Sequence, residues 1–148
     1  MKADVTLSVP RITLAAARQV IIAAEAEAQR IGAPQNIVVV DESGNLISMI
    51  RMDGAKFLAV DIAINKAVTA AGARKATHEL GPVTVPGEPA FGIQAQRGGR
   101  FTTIPGGIPL VAGGAVVGAI GVSSASAAED LKVAEAGVVE FDRLVPRQ

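Results

Sequence analysis

An α+β fold is predicted for this chain: an antiparallel sheet covered by helices on both faces. Three observations carry the prediction. Two pairs of β-rich runs each flank a tight-turn signal, and three long segments repeat apolar residues at helical spacing. The second β-rich pair is apolar on both of its alternating faces, so both faces need cover. At 148 residues the chain is read as one domain, 1–148, large enough for a sizeable core.

The first helix is expected in "TLAAARQVIIAAEAEAQRIGAP". Thr13 can cap it, Gly32 can close it in the left-handed region, and Pro34 forbids continuation. Leu14, Ala17, Ile21, Ala24, Ala28 and Ile31 form its apolar stripe. "NIVVVDESGNLISMIRMDG" follows as a hairpin turning at Ser43 and Gly44, which pairs Val39 with Ser48 and Asn36 with Arg51. A second helix spans "KFLAVDIAINKAVTAAGARK", residues 56–75. Phe57, Val60, Ile64, Val68 and Ala71 lie on one side and Leu58, Ile62 and Ala73 on another, a pattern that predicts burial on more than one face.

Residues 76–100 hold three prolines and five glycines and read as loop, with a short helix near 89–96. Long irregular segments in compact domains often carry function. In "FTTIPGGIPLVAGGAVVGAIGVS" the glycines match no nucleotide motif. The P-loop lysine is missing, because no lysine lies between Lys75 and Lys132, and no frame gives the dinucleotide fingerprint. Gly113 and Gly114 instead suit the two positive-φ positions of a type I′ hairpin turn. That turn pairs Leu110 with Val117 and Ile108 with Ala119. Pro109, which cannot donate to a ladder, puts its strand at a sheet edge. The third helix opens at a capping box, Ser126 with Glu129, and buries Leu131, Ala134, Val138 and Phe141.

Composition narrows the function classes. Fourteen acidic residues balance fourteen basic ones, which is not the field of a nucleic-acid binder. The absence of cysteine excludes disulfides, thiolate zinc sites, iron–sulfur clusters and cysteine nucleophiles. A single histidine excludes metal sites that need several imidazoles, and no metal site is expected. The N-terminal stretch lacks a signal-peptide pattern and the most apolar segment, 108–122, is too short to span a bilayer, so a cytoplasmic protein is expected. A neutral chain rich in small apolar residues also suggests a homo-oligomer.

Four segments carry a family resemblance: "RMDGA" at 51–55, "DIAINKAVTAA" at 61–71, "GRFTTIPGGIPLV" at 99–111 and "VVGAIGVSSASAAEDLKVAEAG" at 116–137. In this order they resemble the GlcG/HbpS-like family, which includes the C-terminal domain of PduO-type adenosyltransferases. The resemblance implies a five-stranded antiparallel sheet with helices on both sides, in profilin-like layering, within an oligomer. It also implies haem binding or iron handling, and a place beside catabolic genes. PduO-type domains carry a histidine in the first helix; this first helix has none. Axial haem ligation would then fall to His78 or to no protein side chain.

Several residues are candidates for chemistry. His78 is the chain's single imidazole, the side-chain type suited to proton transfer or ligation near neutral pH; it is either a helix-end residue or a ligand or acid–base group. Lys66, inside an apolar helix, is either half of an ion pair with a carboxylate such as Asp53, or a base or Schiff-base nucleophile. Thr69 shares its polar seam. Arg51 and Asp53 bracket the hairpin end as an ion pair or an anion site, and Arg100 is a second carboxylate-binding candidate beside Phe101. Pro105, Gly106 and Gly107 form a turn whose two glycine N–H groups could face an anion. Glu129 is explained by capping, yet helix N-termini often line sites.

The leading expectation is an accessory protein that binds a small molecule, a tetrapyrrole such as haem or a small carboxylated metabolite. Its pocket would lie between the Pro105-Gly106-Gly107 turn, the second helix and residues 76–100. The alternative is a cofactor-independent lyase or isomerase acting on a catabolic intermediate, with Lys66 or His78 moving the proton while Arg51 or Arg100 holds a carboxylate. A purely structural subunit is the third class. Neither nucleic acid nor membrane is expected as a partner.

Overall fold

The computed structural model describes residues 4–146. Helix α1 (Leu14–Arg30) leads into the hairpin β1 (Asn36–Asp41) and β2 (Leu46–Arg51), and helix α2 (Ala59–Ala73) follows. The irregular region holds the single turns α3 (Thr77–Leu80) and α4 (Gln96–Gly99), with 3-10 turns at Gly81–Val83 and Ile93–Ala95. A second hairpin, β3 (Gly107–Ala112) and β4 (Ala115–Ser123), leads into helix α5 (Ala127–Leu144). No helix among the described residues is long and apolar enough to cross a membrane.

The sheet is antiparallel throughout, in the order β2-β1-β4-β3. It has four strands among the described residues, one fewer than the family resemblance implies. Residues 76–100 contribute no strand, because their prolines and glycines break the segment into short turns. Helices cover both faces as expected. Ile37 and Val39 of β1 pack towards α1 and α5, whereas Val38 and Val40 pack towards the alanines of α2.

Local chemistry sets the boundaries of these elements. The Thr13 hydroxyl accepts from Ala16 N–H at 3.1 Å, and Gly32, at φ 67°, turns the chain out of α1. Ser126 and Glu129 form the expected capping box, and the cap holds the Glu129 carboxyl below its ordinary pKa. The α1 stripe is buried at Ala17, Ile21, Ala24 and Ala28 as expected; Val20 joins it where α5 crosses at Gly137, and Leu14 is left 45% exposed.

The first hairpin has the predicted register, with Val39 opposite Ser48 and Asn36 opposite Arg51. In the second, Gly113 and Gly114 take positive φ as predicted, but the ladder slips. Leu110 faces Gly118 rather than Val117, and Ile108 faces Ile120 rather than Ala119. Val117 is an extra residue, a β-bulge whose carbonyl accepts from Ile12 N–H at 2.9 Å. One inserted residue exchanges the faces of everything beyond it. Ile120 and Val122 therefore face α1 and α5 with Leu110, and Ala119 faces α2. Pro109 lies on an edge strand, as expected.

Helix α2 departs most from expectation. Its fully buried face is Ala59, Ala63, Ala67, Ala70 and Ala71 with Lys66 and Thr69, while the larger Val60, Ile62, Ile64 and Val68 are only partly buried, Ile64 and Val68 at the margin of that core. Phe57 and Leu58 precede the helix and are 79% and 69% exposed. Small residues win the sheet-facing side because they let helix and strand backbones approach closely.

The N-terminal approach to α1 is clamped by Arg11, whose guanidinium donates to both Glu42 carboxylate oxygens at 2.7 and 2.8 Å. This bidentate pairing pulls the Glu42 pKa from an ordinary 4.5 to about 2. A carboxylate with a depressed folded pKa stabilises the fold above its unfolded value and loses that contribution as pH falls. The clamp is thus expected to be intact above about pH 4.5 and to release as pH falls through about 2. Carboxyl NMR titration of Glu42 checks this, and a midpoint at the ordinary value would contradict it.

Candidate functional site

The polar centre of the molecule lies under the Pro105-Gly106-Gly107 turn. Lys66 projects from α2 with no exposed surface. Its ammonium donates to Val122 O of β4 at 2.8 Å and to Asp130 Oδ2 of α5 at 2.7 Å. Asp130 Oδ1 accepts from Ala125 N–H at 3.1 Å, so its carboxylate is held from both sides. Burial pulls the Lys66 pKa down, and the Asp130 carboxylate opposes that pull. The partner of Lys66 is Asp130, not Asp53, which is exposed at the end of the first hairpin.

The turn is sealed over this pair. A Cβ at Gly106 would stand 3.1 Å from Lys66 Nζ and 2.7 Å from Val122 O, so only glycine fits. Gly106 O accepts from Val122 N–H, and Gly107 N–H donates to the buried Thr77 hydroxyl at 3.1 Å. Thr77 in turn donates to Ile104 O at 2.6 Å. The Gly107 N–H, expected to face an anion, is thus spent inside the protein. Sequence inspection missed Thr77, a residue whose hydroxyl carries no motif.

A cleft of about 370 Å³ opens beside this centre, lined by Val68, Thr69, Gly72, Ala73, Leu80, Ile93, Arg97 and Phe101. It lies between α2 and the irregular 76–100 region, but the Pro105-Gly106-Gly107 turn, expected as its third wall, does not line it because that turn is sealed over Lys66. Thr69 and Phe101 are the predicted site residues it brings together. The Thr69 hydroxyl accepts from Thr102 N–H at 3.2 Å, which ties the segment bearing Phe101 to α2. Arg97, not Arg100, lines the cleft. A left-handed backbone at Arg97 (φ 55°) and Gly98 (φ 66°) turns the chain there, and no periodicity in the sequence signals it.

The remaining candidates lie elsewhere. His78 is exposed on α3 and is not among the cleft residues. Arg51 and Asp53 are exposed where β2 ends, and Arg100 is exposed after α4. Glu129 serves the capping box, and its neighbour Asp130 points into the core. Among the described residues no group of three or more acidic or histidine side chains could hold a metal ion.

Chemically the cleft offers apolar walls, one aromatic ring and one guanidinium, a set suited to an apolar body bearing a carboxylate. None of the eight lining residues is His, Met, Cys or Tyr, so the cleft supplies no axial donor for a haem iron. The apolar body and the carboxylates of such a group fit; ligation of its iron by a side chain of the cleft does not.

Comparison with known proteins gives one consistent result. Residues 12–139 match the family model described as "Haem degrading protein HbpS-like". An uncharacterized 15.0 kDa protein from the dhaT–dhaS intergenic region of Citrobacter freundii is 40% identical over 133 residues, 90% of this chain and 94% of that protein. The crystal structure of Klebsiella pneumoniae ORFY superposes with a TM-score of 0.92 at 33% identity, covering 96% of this chain and 98% of that one. The PduOC–haem complex superposes with a TM-score of 0.85 at 29% identity, covering 88% and 94%.

Proposed function

The chain belongs to the HbpS-like family, and from that premise we propose that it is an accessory protein that binds a flat, apolar, carboxylated molecule of the tetrapyrrole class in the α2 cleft. The observation that carries this reading is the cleft itself. Val68, Leu80 and Ile93 give it apolar walls, Phe101 gives a ring for stacking, and Arg97 gives a partner for a carboxylate. The family and the haem complex of a relative support the ligand class. The protein supplies binding and orientation; axial ligation by the cleft is not part of the proposal.

The lyase or isomerase reading is weaker on this geometry. Lys66 is enclosed and already bonded to Asp130 and Val122, and His78 and Arg51 do not line the cleft. A proton-transfer group must reach the atom it serves.

Haem titration followed by absorbance tests the proposal. A saturable Soret shift is expected, and Arg97→Ala or Phe101→Ala should each weaken it about tenfold, or about 1.4 kcal/mol. His78→Ala should leave it unchanged. The proposal fails if no saturable shift occurs, or if both cleft variants bind as the parent does. A small aliphatic carboxylate that displaces haem would show that the carboxylate subsite is shared.

A further inference from the structure

Every contact that the α2 cleft offers suits the face or the rim of a flat ligand, and none suits its centre. The α2 wall is two short rows, Val68 with Gly72 and Thr69 with Ala73, each pair one helical turn apart. A Cβ at Gly72 would meet nothing within 4 Å, so this end of the wall is low and open to a flat ring. Leu80 and Ile93 add apolar contact, Phe101 adds a ring for stacking, and Arg97 adds a guanidinium. Among the described residues no carboxylate pairs with Arg97, which leaves its charge for a carboxylate of the ligand.

The described side chains that could bind a metal at the ligand's centre are engaged or turned away. The chain has no cysteine and no tyrosine. His78 is exposed and stands two positions before Leu80 on the single turn α3, so the imidazole and the cleft-lining leucine project to different sides. Met52 lies just past β2, where its sulfur accepts from Gln35 N–H at 3.3 Å, and Met49 packs against the alanines between α2 and the sheet. The Lys66 amine is enclosed between Val122 O and Asp130. Thr69 brings the one hydroxyl of the cleft, and its oxygen already accepts from Thr102 N–H.

With the α2 cleft taken as the site proposed above, we infer that it selects a tetrapyrrole carboxylic acid without reading a metal, so that metal-free porphyrin is as much its ligand as haem. Affinity in the cleft comes from the apolar face and the carboxylates, which the ring carries whether its centre holds iron or two protons. A bond from a side chain to iron would favour the iron-bearing ring alone, and no cleft residue is of the kind that makes one. Phe101 and Arg97 are then the residues that set specificity, and they set it for both rings alike.

Parallel titrations with haem, followed by absorbance, and with metal-free protoporphyrin, followed by fluorescence, test this. The two dissociation constants are expected to agree within about threefold, and Arg97→Ala and Phe101→Ala should each weaken both by about tenfold. Ferric haem bound to the parent should give a high-spin electron paramagnetic resonance spectrum, because no strong side-chain donor reaches the iron. A preference beyond about threefold for either ring would overturn the inference and leave the cleft as the binding site. A low-spin spectrum would do the same, as would protoporphyrin binding that both variants leave untouched while haem binding weakens. If neither ring binds saturably, the cleft reading itself has failed.

Discussion

Asp130→Ala is expected to destabilise the fold by about 3–5 kcal/mol, the cost of removing one partner from a buried ion pair. The loss comes chiefly from what remains. Lys66 has no exposed surface, and without Asp130 its ammonium keeps only Val122 O as a partner. The Lys66 pKa, already drawn down by burial, would fall further, and the residue would shed its proton or draw water into the core. Ala125 N–H also loses its acceptor. The double variant Lys66→Met, Asp130→Leu should recover most of the loss, because a pair of apolar side chains leaves no uncompensated charge. Urea unfolding of the two single variants and the double measures this. A single-variant loss below about 1 kcal/mol would mean that the pair is solvated and that Lys66 is open to chemistry.

The same residues show what was legible beforehand. The hairpin turns, the helix caps and the edge position of Pro109 follow from local rules that need one stretch of chain each. The first hairpin was legible to its register because two strands and a turn determine it. The second was not, since the Val117 bulge is stabilised by Ile12, more than a hundred residues earlier in the chain. Asp130 could have been found. It extends the buried stripe Val133, Ala134, Gly137 and Phe141 by one helical step, and the capping box drew attention to its neighbour instead. Lys66 stands out in the sequence as a lysine inside an apolar helix, but its partner Asp130 lies on another helix and no spacing announces it. Arg97 depends on a left-handed backbone in an irregular loop, where sequence patterns carry least information.

Gly121→Ala is expected to cost about 3 kcal/mol, the upper end of overpacking losses. Gly121 sits in β4 beneath α2, and a Cβ there would meet Ala63 O, stand 2.6 Å from Ala67 N and 2.9 Å from Ala67 Cβ. Two of these obstacles are helix backbone, which no rotamer change can move, so α2 would have to lift off the sheet. This contact explains why the helix turns alanines onto the sheet and keeps its larger residues at the flanks: the strand has room only for Cβ atoms. Gly72→Ala is the matched control. It lies on the same helix with open space around it, and there alanine should be neutral or stabilising by about 0.5–1 kcal/mol. Thermal or urea unfolding of both variants separates close packing from helix propensity, and equal effects would refute the packing account. The two variants also divide stability from binding. Lifting α2 moves Val68 and Thr69, which line the cleft, whereas Gly72→Ala places a methyl at the cleft with the helix in place. Haem affinity reduced in Gly72→Ala at full stability would locate the ligand against α2 by a route independent of Arg97 and Phe101.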